Sequence, residues 1–125
     1  TGFAIRWRGQ PSTIWFRVYW MNKSEQLRQA FENIVNEMKT CGAWDAPAPA
    51  PEAYENMGAF GMKTMALEQW LKYVFVPAVQ ECVDGKRPWP PTSSVGAHAI
   101  REFDGANDRA ELVSRLCEFD HLFRG

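Results

Sequence analysis

The stretch AFGMKTMALEQWLKYVFVP, residues 59–77, decides the fold. It has the composition of a helix, is apolar on nearly every side, and reaches Pro77 while the pattern is still running. A buried rod, a membrane segment and the wall of a binding site are the three readings it invites. Lys63, Glu68, Gln69 and Lys72 interrupt it, and no part of the chain approaches the ~20 uninterrupted apolar residues that a membrane helix needs. The rod remains. The spacing predicts a helix over 63–84, with Leu67, Trp70, Leu71, Val74, Phe75, Ala78, Val79 and Cys82 around most of its circumference and Glu68, Gln69, Lys72, Gln80 and Glu81 on one wet side. A helix apolar nearly all round is a central one. Pro77 lacks the N–H that would bond the Tyr73 carbonyl and its ring crowds that carbonyl, so a kink is expected over 73–77.

Working outward, Leu27, Phe31, Ile34, Met38 and Cys41 recur at steps of four and three and predict a helix over 24–41. Asn22 or Ser24 can cap it, Asn22 and Glu25 having the spacing of a capping box, and Gly42 stands where helices commonly stop. Pro47, Pro49 and Pro51 keep residues 45–56 out of a helix. At ~3.1 Å per residue twelve such residues span roughly 37 Å, enough to return along the whole first helix, about 27 Å at ~1.5 Å per residue. On the other side, Gly85 ends the rod and Pro88, Pro90 and Pro91 stiffen a turn that folds Trp89 over a bundle end or offers it as an exposed contact. A short helix over 94–104 presents Val95, Ala99, Ile100 and Phe103 and is weakened by Gly96. A last one over 107–123 has the stripe Leu112, Leu116, Phe119 and Phe123, with Asp108 and Glu111 in capping-box register. The expected fold is all-α, a small four-helix bundle with a Pro-kinked central helix and Pro-rich connecting loops.

With 125 residues, 46% of them hydrophobic, and six Trp and eight Phe, the chain has material for one modest core and is no disordered segment. Its net charge of −1 hides a split. Residues 1–20 carry Arg6, Arg8 and Arg17 and no acid, leaving 11 bases against 15 acids, a balance of −4, for the rest. Such a body argues against autonomous nucleic-acid binding, which needs clustered Lys and Arg. Residues 1–20 read as an N-terminal extension that is flexible or non-native, because Met21 opens a polar helix start; the alternative is a basic, aromatic arm for anionic surfaces. Cys41, Cys82 and Cys117 are odd in number and far apart, which reads as reduced core cysteines of a cytoplasmic protein.

No catalytic motif stands out. Cys117 and His121 are spaced i, i+4 and could, with Cys41 and Cys82, form a Cys₃His zinc site, but such sites draw on close ligand pairs in loops. No metal and no cofactor is assigned. Cys117, Asp120 and His121 stand on one turn of one helix and cannot surround a substrate as a triad does, so Asp120 reads as a local cap or pair and His98 and His121 as structural or solvated. Glu68 is the best single polar candidate on the rod and reads as a carboxylate that is solvated or paired i, i+4 with Lys72. Met57, Phe60, Met62 and Met65 follow or flank Gly58 and Gly61, so they pack in the core or lie on a mobile entry segment suited to adaptable partner binding. Trp70, Tyr73 and Val74 beside Pro77 could line a small pocket.

Phe60, Met62, Thr64, Met65, Glu68, Gln69, Trp70, Leu71, Val74, Phe75 and Pro77, then Pro88 and Pro90, then Leu116, Asp120, Leu122 and Phe123, resemble the YqcC-like family of small bacterial helical proteins over about residues 22–123. Two departures are Ala78, where the family often carries a basic residue, and VGAHAIREF, which lacks an Ala-Pro step often found there. The resemblance implies an all-helical bundle of unassigned role, often labelled as linked to tRNA pseudouridine synthase C. Catalysis of that kind needs an aspartate nucleophile in a mixed sheet beside a basic RNA groove, and this chain offers neither strands nor positive charge. The expectation is therefore a non-enzymatic accessory domain that binds another protein, a tRNA-modification enzyme or its own copy, through a surface drawn from Phe60, Met62, Met65, Glu68, Trp70, Tyr73, Pro77 and Trp89. The alternative is a small-ligand domain with a pocket beside Pro77. Deleting residues 1–20 is expected to leave the melting temperature unchanged in a thermal denaturation scan; a clear fall would make them part of the fold.

Overall fold

The computed structural model describes residues 22–124; residues 1–21 and 125, and with them the expectations for residues 1–20, lie outside the described residues. Helix α1 is Lys23–Cys41. Asn22 Oδ1 accepts from the Glu25 N–H at 2.9 Å, satisfying one of the donors that a helix start leaves unpaired. Gly42, at φ +89°, ends the helix in the left-handed conformation that glycine adopts without steric cost. Leu27, Phe31, Ile34 and Met38 are buried, as their spacing requires.

Helix α2, residues 67–83, is one rod in three parts: an α segment Leu67–Trp70, a π turn Leu71–Phe75 and an α segment Val76–Val83. The disruption expected at Pro77 takes the form of this π turn. Trp70, Leu71, Phe75 and Val76 keep right-handed helical dihedrals, and the Val76 N–H reaches back five residues to the Leu71 carbonyl. Widening the turn just before Pro77 accommodates a ring that an ordinary α turn would drive into the Tyr73 carbonyl. The rod starts four residues later than the sequence suggests. Ala66 is extended, and its N–H donates to the Gln69 side chain at 2.9 Å. Ahead of it, Gly58, Phe60 and Gly61 have positive φ and break the helical path. Burial on α2 is one-sided: Leu67, Leu71, Phe75, Val79 and Cys82 are buried, Pro77 is exposed, and Trp70, Val74, Ala78 and Val83 are half-buried.

Helices α3, Val95–Glu102, and α4, Ala110–Leu122, complete the bundle, a single 3₁₀ turn at Asn107–Arg109 leading into α4. Among the described residues there is no strand. Helix α4 packs most extensively against α1 and nearly as much against α3, burying Leu112, Leu116, Phe119 and Asp120. Ile100, expected on the apolar side of α3, is 54% exposed, because α3 is too short to bury more than the Val95–Gly96–His98–Ala99 edge. The Asp108–Glu111 capping box does not form: the N-cap of α4 is Arg109, with no side-chain cap, and Asp108 turns to Arg109 at 3.3 Å.

Gly96 is no weak point in α3; it is where α3 and α4 touch. A Cβ there would stand 2.7 Å from both Cα and N of Cys117. Gly→Ala in an open helix interior gains roughly 0.5–1 kcal/mol. Here the clash is with backbone and reverses the sign, so Gly96→Ala is expected to lose about 1–3 kcal/mol, the cost of overpacking a tight interior, as read from urea unfolding followed by circular dichroism.

Candidate functional site: an aromatic cleft

A concave apolar feature lies between α2 and the proline-stiffened loop that runs into α3. It is a cleft of about 410 Å³ walled by Phe60, Trp70, Val74, Trp89, Phe119 and Phe123, with Arg87, Thr92, Ser93 and Ser94 on its polar side. The walls are held by ring-to-ring contacts. Phe75 and Phe119 meet edge-on at 5.6 Å, Phe119 and Phe123 at 5.1 Å, and Trp89 packs against Phe123 at 6.3 Å and Phe119 at 6.5 Å. Such pairs add to the burial of apolar area. Trp89 thus folds back on the end of α4 and forms one lip of the cleft.

That lip is positioned by one carboxylate. Asp120, 2% exposed, accepts from Ser93 Oγ at 2.6 Å and from the Gly96 N–H at 2.8 Å. It caps the start of α3 from α4, across 24 residues of sequence. The negative charge sits at the positive end of the α3 dipole, and both oxygens are engaged, which is what a buried carboxylate requires. The sequence suggested a local cap; the partner is instead on the neighbouring helix.

Of the eight residues expected to form a surface, the structure brings Phe60, Trp70 and Trp89 to the cleft. Met62 is 61% exposed just outside it, and Met65 is half-buried beneath Gly61. Tyr73 leaves the group: its hydroxyl donates to the Ala46 carbonyl at 3.3 Å. Pro77 does not line the cleft. Glu68 is paired with Arg109 at 3.3 Å and not with Lys72, whose ammonium donates to the Trp44 carbonyl at 2.7 Å and lies over the Trp44 ring at 5.0 Å. With Gln69 donating to the Pro47 carbonyl at 3.0 Å, Lys72 and Tyr73 tie the proline linker along the other side of α2.

One residue, Arg109, was missed by sequence reasoning, and His98 takes the structural role of the two read for it. Arg109 donates to the Cys41 carbonyl at 2.9 Å while holding Glu68, so one guanidinium joins the end of α1 to the starts of α2 and α4. A cation at a helix start is opposed by the helix dipole, and that mismatch was the available signal. His98, 5% exposed, stacks on Phe60 at 4.4 Å with 12° between planes, and its Nε2 lies 3.7 Å from Glu102. The cysteines do separate work. Cys82 Sγ faces the Pro88 carbonyl at 3.6 Å, and burial pushes the Cys82 and Cys117 thiols above their ordinary range, which makes them poor thiolates. Among the described residues no group of three His, Cys, Asp or Glu side chains is placed to hold a metal ion, and no helix is long and apolar enough to cross a membrane.

Residues 26–122 match the family model described as tRNA pseudouridine synthase C. An uncharacterized protein of Haemophilus influenzae is 27% identical over 100 residues, covering 78% of this chain and 92% of that one. The uncharacterized protein YqcC of Escherichia coli is 30% identical over 98 residues, covering 76% and 85%. A protein of Pectobacterium carotovorum named tRNA pseudouridine synthase C is 29% identical over 70 residues, which are 56% of this chain and 19% of that protein. No solved structure matches. Replacing Asp120 by Ala should cost about 2–3 kcal/mol, since it strands a buried N–H and a hydroxyl that now bond to a charged group; chemical denaturation of the two proteins measures the difference.

Proposed function

Because the chain belongs to the family described as tRNA pseudouridine synthase C, we propose that it is a non-enzymatic helical accessory domain that docks on another protein, and that the partner is a tRNA pseudouridine synthase. The observation that carries this reading is the Pectobacterium relative. A segment similar to this chain is a minor part of a much longer protein bearing the synthase name, whereas in two other bacteria the similar protein is of about this chain's length. A module that is joined to an enzyme in one organism and separate in others is the pattern of an accessory subunit. The residues agree with that division of labour. The deeply buried carboxylate, Asp120, has both oxygens committed to Ser93 and Gly96, so it is not free to attack a base. The charge balance of −4 outside residues 1–20 is unsuited to gripping a phosphate backbone alone and suited to a basic, RNA-binding partner.

A second reading, a small-ligand domain, is favoured by the cleft itself, whose volume of about 410 Å³ lies within the range of small-molecule sites, about 300–1,000 Å³. On this reading the ligand lies between Trp70 and Trp89, against Val74 and Ala78 on the stretch of α2 that holds Pro77.

The docking reading expects the chain and the synthase of its own organism, purified separately, to co-elute in size-exclusion chromatography at micromolar concentration. Met62→Asp changes an exposed side chain and should leave the melting temperature in place while weakening the complex about tenfold or more, as for a residue central to an interface. Absence of a complex, or a complex indifferent to Met62→Asp, Trp70→Ala and Trp89→Ala, would remove it. A metabolite that raises the melting temperature of the isolated chain would favour the second reading.

A further inference from the structure

The entry to α2 is wound against its own preferences. Asn56 (φ 51°), Gly58 (76°), Phe60 (56°) and Gly61 (68°) all lie in the left-handed region within six residues. Glycine and asparagine accept it readily. For a bulky side chain such as Phe60 it is an outlier that persists only where something holds it. What holds it is the ring. Phe60 stacks face-to-face on buried His98 at 4.4 Å and meets Trp70 edge-on at 5.3 Å, and in that position it forms the wall of the cleft nearest His98. The backbone around it is tied mainly to itself: Met62 to Ala59, Lys63 to Met57, and Thr64 and Met65 to Gly61. The Thr64 hydroxyl on the Ala53 carbonyl is the side-chain tie to the linker. Ala59, Met62, Lys63 and Thr64 are exposed.

We infer that Phe60 is the chain's own occupant of a ring-binding subsite between His98 and Trp70, and that the aromatic side chain of a docking partner takes its place as residues 56–65 lift. The chain itself shows which chemistry fits: a planar ring lying flat on His98 with its edge or face presented to Trp70. Displacing Phe60 relieves the left-handed backbone and extends the cleft inward to His98, so the partner's ring gains the stacking while the segment loses its strain. The inference rests on the docking reading in supposing a protein partner, and commits it to an aromatic anchor. A side chain that merely completes the core would be released only when the whole domain unfolds.

Native-state hydrogen exchange on the full chain, followed by NMR, is the first test. The amides of Met62, Lys63, Thr64 and Met65 are expected to exchange through a local opening, at least about tenfold faster than the most protected amides of α1 and α4. Indole serves as the ring probe. It should bind saturably, shift the His98 ring and Trp70 signals, and speed exchange of those four amides. Phe60→Gly, which removes both ring and strain, should bind indole about tenfold more tightly, since no competing conformation has to be displaced. Exchange of 62–65 only together with α1 and α4, or indole leaving His98 unmoved in wild type and Phe60→Gly alike, would overturn the inference; if Phe60→Gly does not fold, the wild-type exchange pattern decides alone. A synthase complex in which the His98 ring signals stay unmoved would sink this inference and leave the docking reading standing. Ring exchange without any synthase complex would do the reverse.

Discussion

The carboxylate of Asp120, locked between the Ser93 hydroxyl and the Gly96 N–H, is the constraint on which the rest of this molecule depends. A short helix of eight residues has little stability of its own. Helix α3 exists because its start is capped from α4 and because Gly96 lets the two backbones meet beside Cys117. Once α3 is fixed, the loop before it has a defined end. Pro88, Pro90 and Pro91 leave that loop few conformations, so Trp89 is delivered to Phe119 and Phe123. A cleft results because α2 turns one buried stripe inward and meets the loop only along its half-buried flank.

A second constraint acts at the opposite end. Arg109 reaches the last carbonyl of α1 and the first turn of α2, while Lys72, Gln69 and Tyr73 donate to the carbonyls of Trp44, Pro47 and Ala46 at the start of the proline linker. Proline has no N–H to offer, so a proline-rich strap leaves carbonyls that need donors from elsewhere, and α2 supplies three of them from one face. Helix α2 is therefore gripped by polar bonds on one side and by aromatic rings on the other. Its π turn at Leu71–Phe75 lies between the two, consistent with the tendency of such turns to mark places where a helix serves more than packing.

The helices were legible in the sequence because their apolar stripes are regular and their ends are marked: Asn22 and Gly42 on α1, Gly85 after α2. What was not legible has a physical reason in each case. The lead-in to α2 carries helix-compatible residues, but two glycines and Phe60 in left-handed geometry override them, and only the fold shows that His98 is there to hold the ring. Glu68 read as solvated or paired with Lys72, yet Trp44 offers Lys72 both a carbonyl and an aromatic face, and Arg109 takes Glu68. Asp108 lost its capping role because Arg109 draws the turn toward Glu68. Of the surface expected around Phe60, Met62, Trp70 and Trp89, most gathers in one place; Tyr73 turns to the Ala46 carbonyl and Pro77 lies exposed on α2. Chemistry at a site made by residues 60, 70, 89, 98 and 123 cannot be read from local pattern, since nothing in the sequence says which loops meet.

The Lys23 ammonium lies 2.8 Å from the Leu122 carbonyl. The first residue of the first helix and the last residue of the last one are thus neighbours, and the bundle begins and ends at one corner. A unit with adjoining ends can be spliced into a host polypeptide, appended to either flank, or circularly permuted with a short bridge, without prying its helices apart. The same closure means that α1 gains its main packing surface only once α4 is in place.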